Sequence, residues 1–375
     1  VRAEPLNRRR AVEFPARRSA SKREHDFATP NDPTSNDTRL NRGSLPTGEV
    51  PMKHRVVIAA FGSTMLATPA ALALDASLPA YQTVKGLSGE IKSVGSDTLD
   101  REMELWAKGF KELYPSVKIE IEGKGSATAL SALLAGDSQF GPMSRPMTGA
   151  ESEAFEKKFG YKVSNFRVAV DALAVYVNKD NPIECLTMEQ VDRIFSSTRK
   201  GSGGKSIDTW GNVGLTGDWA SKPISLYGRN TISGTYEFFR QTALYNGDYK
   251  PEVKQQVGSE AVVEGVAGDK FAIGYSGLGY KADSVRSVPL SLFFGGKCYD
   301  TSSEATLSGK YPLARYLYIY VNKKPGETLD PLRGEFIKYI LSKDGQTQTE
   351  KGGYYPITEE IREAELHRLG LSGAK

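Results

Sequence analysis

The chain has 375 residues, 39% apolar and 25% charged, which is enough for two ordinary domains and unlike a disordered or membrane-embedded protein. Its net charge of +4 comes from the N-terminus: residues 1–73 hold 12 Lys or Arg against 7 Asp or Glu, leaving 37 against 38 in the remainder. With that balance, nucleic-acid binding loses its electrostatic support, and no nucleic-acid partner is expected.

Residues 1–51 carry Arg8-Arg9-Arg10, Arg17-Arg18 and Lys22-Arg23 among Asn, Asp, Pro, Thr and Ser, with no apolar periodicity. They are expected to be disordered or not part of the natural protein. Met52-Lys53-His54-Arg55, the apolar stretch to Ala73, and the small residues Ala71 and Ala73 read as an export signal over 52–73, cut after Ala73. A permanent membrane span is the weaker reading. Gly62, Ser63, Thr64, Thr68 and Pro69 leave the segment poorly apolar for the roughly 20 residues a span needs. Translation is then expected to begin at Met52, and 74–87 to serve as a linker.

Beyond the linker, Glu90 to Val94 predicts a strand that runs into Gly95-Ser96-Asp97-Thr98. Leu99, Met103, Trp106, Phe110 and Leu113 recur at helical spacing and stop at Pro115. Val117, Ile119 and Ile121 alternate with Lys118, Glu120 and Glu122, a half-buried strand that ends in Gly123-Lys124-Gly125-Ser126. A second helix follows through Leu130, Leu133 and Leu134, then a short strand from Gln139 to Gly141 that leads to Ser144-Arg145-Pro146. Repeated strand–loop–helix units predict an α/β fold with parallel strand pairs.

Arg167 to Asn178 reads as one long strand, and Thr187 with Gln190 as a capping box for a helix bearing Val191, Ile194 and Phe195. Pro223 to Tyr227 predicts a strand before Arg229-Asn230-Thr231-Ile232-Ser233-Gly234-Thr235 and a helix through Phe238, Phe239 and Leu244. Phe271 to Tyr275 and Leu317 to Val321 predict two further strands; the aromatics around the latter are expected to be buried. Asp330-Pro331 caps and opens a helix carrying Phe336, Ile337, Ile340 and Leu341.

Three of these loops share one layout: small hydroxyl residues between a strand and a helix N-terminus. They are Gly95 to Thr98, Gly125 to Thr128, and Ser233 to Thr235. A helix start exposes unpaired N–H groups and the positive end of the helix dipole, which together receive an oxyanion. Any one Ser or Thr here is ordinarily just a cap; three in one chain, one of them preceded by Arg229, point to an anion site. No Walker or Rossmann glycine motif is present, so a nucleotide is not expected.

Of His25, His54 and His367, only His367 lies beyond the signal, so neither a zinc hydrolase nor a Ser-His-Asp triad is served. No metal or cofactor is expected. The two cysteines, Cys185 and Cys298, are open to either a bridge in an oxidising compartment or two buried thiols. Neither adjoins the cleavage site, so no lipid anchor is expected.

Over about residues 88–360 the chain resembles the periplasmic phosphate-binding proteins of ABC importers, the PstS-like family. The matching segments include Gly95 to Leu99, Gly123 to Ser126, Phe140 to Arg145, Arg229 to Thr235, Ala272 to Tyr275, Tyr318 to Asn322, and Gly352 to Pro356. The resemblance implies a two-lobe type II binding-protein fold: two mixed sheets, a two-strand hinge, and the ligand in the cleft. Lobe one would be 88–170 with 313–375, and lobe two 171–312. Both cysteines would fall in lobe two, which favours a bridge.

The resemblance also implies a monomer that captures inorganic phosphate and delivers it to inner-membrane permease subunits, without catalysis. Its ligand set would be Thr98, the Leu99 N–H, Ser126, Ser144, Arg145, Arg229, Ser233, Gly234 and Thr235. The family's best-studied members carry an aspartate where this chain has Ser144, although some relatives have a serine and arginine there, and the same members carry another aspartate where it has Thr231. Asp97 is the candidate for either missing carboxylate role, the alternative being that it only caps its helix, and Arg145 is open to contacting the ligand or only supporting the cleft. The Ser144 position opens an alternative ligand: sulfate, molybdate or a phosphonate. A secreted phosphatase is the remaining alternative, from another class of function.

Overall fold

The computed structural model describes residues 74–372, so the expected export signal (52–73) and residues 1–51 lie outside the described residues. In chain order the first elements are β1 (Gly89–Gly95), a 3-10 turn (Asp97–Leu99), α1 (Asp100–Leu113), β2 (Val117–Gly123), α2 (Ala127–Ala135), β3 (Phe140–Met143), α3 (Gly149–Phe159) and β4 (Ser164–Ala172). Then come β5 (Ala174–Asn178), β6 (Leu186–Thr187), α4 (Met188–Phe195), β7 (Ser225–Arg229), α5 (Gly234–Thr242), β8 (Lys254–Gln256), α6 (Ser259–Gly268), β9 (Ala272–Ser276), β10 (Val285–Ser287), β11 (Leu290–Ser291) and α7 (Ser303–Leu307). The last are β12 (Ala314–Val321), α8 (Pro331–Leu341), α9 (Lys343–Lys351) and α10 (Glu359–Leu369).

Two five-stranded mixed sheets result, ordered β2-β1-β3-β12-β4 and β10-β5-β9-β7-β8. β1 pairs in parallel with β2 and β3, so all three carboxyl ends open on one edge, where loops of an α/β sheet gather ligands. The alternating Val117, Ile119 and Ile121 belong to the edge strand β2, only one face of which packs inward.

The first sheet is covered on both faces. Trp106 and Phe110 of α1 and Phe336 of α8 are fully buried on one side, each such side chain being worth about 1.5–3 kcal/mol of burial. Leu133 of α2 and Phe155 of α3 fill the other. In the second sheet, Phe239 of α5 stacks on Tyr275 of β9 with ring centroids 3.9 Å apart, and Phe195 and Trp210 complete that core.

The run from Arg167 to Asn178, expected as a single strand, is two. β4 ends in the first sheet at Ala172, and β5 starts in the second at Ala174. The return crossing lies beside it, where Leu173 N–H donates to Leu313 O at 3.0 Å and Ala314 opens β12. These two crossings form the two-strand hinge. Cys185 and Cys298, 113 residues apart, are joined by a disulfide within the second lobe.

One buried carboxyl group sits on α1. Glu102 on α1 is fully buried, neither carboxylate oxygen has a hydrogen-bond partner, and a side chain at Gly352 would collide with it. Burial pushes its carboxyl up to about 8, with Thr349 and Arg101 offsetting only part of that. From its ordinary value of 4.5 up to about 8, the unfolded chain therefore releases a proton that the folded chain keeps. Stability is full below that range and falls as pH rises through it. Glu102→Gln is expected to raise the melting temperature at pH 9 and leave it unchanged at pH 4. An equal effect at both values would show that Glu102 does not titrate in this way.

Candidate anion-binding site

The carboxyl ends of β1, β2 and β3 carry the three first-lobe groups. β1 leads into Ser96 and the 3-10 turn with Thr98, β2 into Gly125-Ser126, and β3 into Ser144. From the second lobe, β7 ends at Arg229 and α5 begins with Ser233, Gly234 and Thr235. The side chains of all the hydroxyl residues are buried, as is Arg229, which is 2% exposed.

The hydroxyls meet across the cleft. Thr98 Oγ1 lies 2.9 Å from Thr235 Oγ1, and Ser144 Oγ lies 3.4 Å from both Thr235 Oγ1 and Ser126 Oγ. Ser144 N–H donates to Ser126 Oγ at 3.1 Å, which leaves the Ser126 proton to be donated onward. Ser233 caps α5 by accepting from Thr235 N–H at 3.1 Å. Ser126, at a helix start as well, makes no such cap bond.

Two glycines let the lobes touch. A Cβ on Gly234 would stand 2.2 Å from Ser126 Oγ and 2.7 Å from Ser144 Oγ. Gly125 holds φ at +102°, a conformation side chains rarely adopt, and faces Ile232 O of the other lobe. Beside it, Ala127 N–H donates to the same Ile232 O at 3.1 Å.

Arg229 is oriented by Asp97. Its Nη2 lies 2.7 Å from Asp97 Oδ2, and its Nη1 donates to Ser259 Oγ at 2.9 Å. Ser259 Oγ in turn donates to Asp97 Oδ2 at 3.2 Å. Asp97 therefore takes the position of partner to the arginine, in place of an aspartate at Thr231, and does not cap its own turn. Arg229 Nε and Asp97 Oδ1 are both buried without a protein partner.

Two expected ligand groups are committed elsewhere. Leu99 N–H closes the 3-10 turn onto Ser96 O at 3.2 Å, because the chain enters α1 through that tighter turn. Arg145 forms a fork with Glu151, donating from Nη1 at 2.6 Å and from Nη2 at 2.8 Å. Glu151 is fixed there by the capping box with Thr148 at the head of α3. The Arg145 contact holds Glu151 below its ordinary value against the opposing effect of burial.

A second cleft arginine, Arg315, lies outside the expected ligand set. Arg315 on β12 faces Asp171 on β4 in register, and both are buried. Its Nε and Nη2 donate to Asp171 Oδ2 at 3.0 and 2.8 Å, and its Nη1 to Ser144 O at 2.9 Å. Its Nη2 also donates to Thr235 Oγ1 at 2.9 Å. The available signal is Arg315 as the one charge of β12, and Asp171 as the one charge in the apolar run from Val168 to Val177.

Among known proteins, a PBP superfamily domain matches residues 80–344. The phosphate-binding protein PstS of Pseudomonas aeruginosa is 50% identical over 305 residues, covering 81% of this chain and 94% of that protein. The chain belongs to the PstS family of phosphate-binding proteins. PstS of Staphylococcus haemolyticus is 29% identical, covering 79% of this chain and 90% of its own. An ABC-type phosphate transport receptor from Vibrio cholerae superposes with a TM-score of 0.56 at 24% identity, over 71% of this chain and all of that one, a likeness of fold.

Proposed function

We propose that the protein binds inorganic phosphate between its lobes in the periplasm and hands it to the inner-membrane permease subunits of an ABC importer. It acts as a monomer and catalyses no reaction. Residues 52–73 would direct its export, and the lobes would be residues 88–170 with 313–375, and 171–312. The observation that carries this reading is the meeting of Thr98, Ser126 and Ser144 with Ser233, Gly234 and Thr235 around a buried arginine.

In this reading the hydroxyls and the start of α5 donate to the phosphate oxygens, and Arg229 contributes its free Nε–H. Asp97 Oδ1 accepts the proton that hydrogenphosphate carries and sulfate lacks. Leu99 and Arg145 act as supports, not as ligands. The closed form is favoured by contacts that the anion makes with both lobes at once. Transfer to the importer requires the open form.

A phosphatase needs a base beside its nucleophile. Ser126 and Ser233 bond only to a neighbouring hydroxyl or to backbone N–H groups among the described residues. Calorimetric titration of residues 74–375, stripped of ligand by unfolding and refolding, tests the reading. Phosphate should bind tightly and sulfate give no heat. Sulfate binding as tight as phosphate would make this a general oxyanion receptor.

A further inference from the structure

Arg315 touches both lobes and the hinge, yet holds no position in the anion shell itself. It stands where the chain crosses between sheets, opposite Asp171, which also accepts from Leu278 N–H of the second lobe at 2.9 Å. Its guanidinium lies over the Phe238 ring of α5, 5.1 Å from the centroid. From there it reaches Ser144 O of one lobe and Thr235 Oγ1 of the other.

A hydroxyl has one proton to give and can accept from either side. Arginine can only donate, so its bond to Thr235 Oγ1 occupies a lone pair there and sends the Thr235 proton elsewhere. The acceptors within reach are Thr98 Oγ1, at 2.9 Å, and Ser144 Oγ, at 3.4 Å, both members of the anion shell. The bond from Arg315 to Ser144 O holds the loop whose N–H fixes Ser126 in the same sense.

We propose that Arg315 is a positioning residue that makes Thr235 an obligate donor toward the bound anion. Its reach across the cleft confines this effect to the closed form. The proposal rests on the phosphate-binding reading and adds a residue that acts through another rather than on the ligand. Asp171 keeps the arginine in place and cancels its charge, so the contribution is one of direction, not of net attraction.

The test is a double-mutant cycle read by phosphate calorimetry, with thermal melts as a folding check. Arg315→Lys keeps a cation beside Asp171, but a point-like ammonium cannot serve Asp171, Ser144 O and Thr235 together. In the native background it should weaken phosphate binding by about tenfold, the worth of one charge-assisted hydrogen bond. In a Thr235→Val background it should change affinity by less than about twofold, because the group it directs is gone. Losses that multiply, or an Arg315→Lys protein that binds as the native one does, would overturn the proposal. If the lysine variant does not fold, the neutral pair Asp171→Asn/Arg315→Met takes its place in the same cycle, with the same two outcomes. Native protein that binds no phosphate would instead count against the functional reading.

Discussion

Arg229→Met should weaken phosphate binding by about two to three orders of magnitude, since truncating one partner of a buried, hydrogen-bonded charge pair at a binding site costs about 2–5 kcal/mol. Arg229 is 2% exposed, and its guanidinium is held by Asp97 and Ser259 with Nε left over. Methionine fills similar space but supplies no donor, and it strands the Asp97 carboxylate. Part of the loss would therefore appear as lower stability, and the double variant Arg229→Met/Asp97→Asn separates the two. It should recover the melting temperature and leave the affinity low. Calorimetry at a fixed pH reads both proteins, and a drop of less than about fivefold in phosphate affinity for Arg229→Met would remove Arg229 from the ligand set.

Asp97→Asn is the counterpart for selectivity. The substitution keeps the shape and replaces a carboxylate oxygen that has no protein partner, Oδ1, with a group able to donate. Phosphate affinity should fall by about tenfold or more, while sulfate binding should rise. The physical reason is asymmetric. A buried acceptor facing a ligand with no proton leaves two oxygens unsatisfied, which costs more than a missing bond. Competition titration with sulfate decides the matter: continued exclusion would place the discriminating acceptor elsewhere in the cleft.

Much of this site could be read from the chain because its loops obey local rules. Ser126 and Ser233 stand where strands hand over to helices, and Arg229 ends a strand just ahead of the second of these. What local pattern could not supply were pairings made only by folding. Asp97 and Arg229 lie on different lobes, so whether the carboxylate capped its turn or oriented the arginine was undecidable from spacing. Arg145 sits in a matching motif, but its fork goes to Glu151 on the next helix. Arg315 and Asp171 were each a lone charge in an apolar run, and neither strand names its opposite. The break at Leu173 left no mark either, because no glycine or proline interrupts the run where it changes sheet.

Both cleft arginines are matched by carboxylates, Asp97 for one and Asp171 for the other. These two buried arginines therefore add almost no net charge to what an approaching anion meets, in a chain whose residues beyond 73 nearly balance. Long-range steering, which accelerates encounter and fades as ionic strength rises, gains little from two paired charges of this kind. What these arginines contribute is felt at close range, once the anion is inside the cleft and out of reach of dissolved salt.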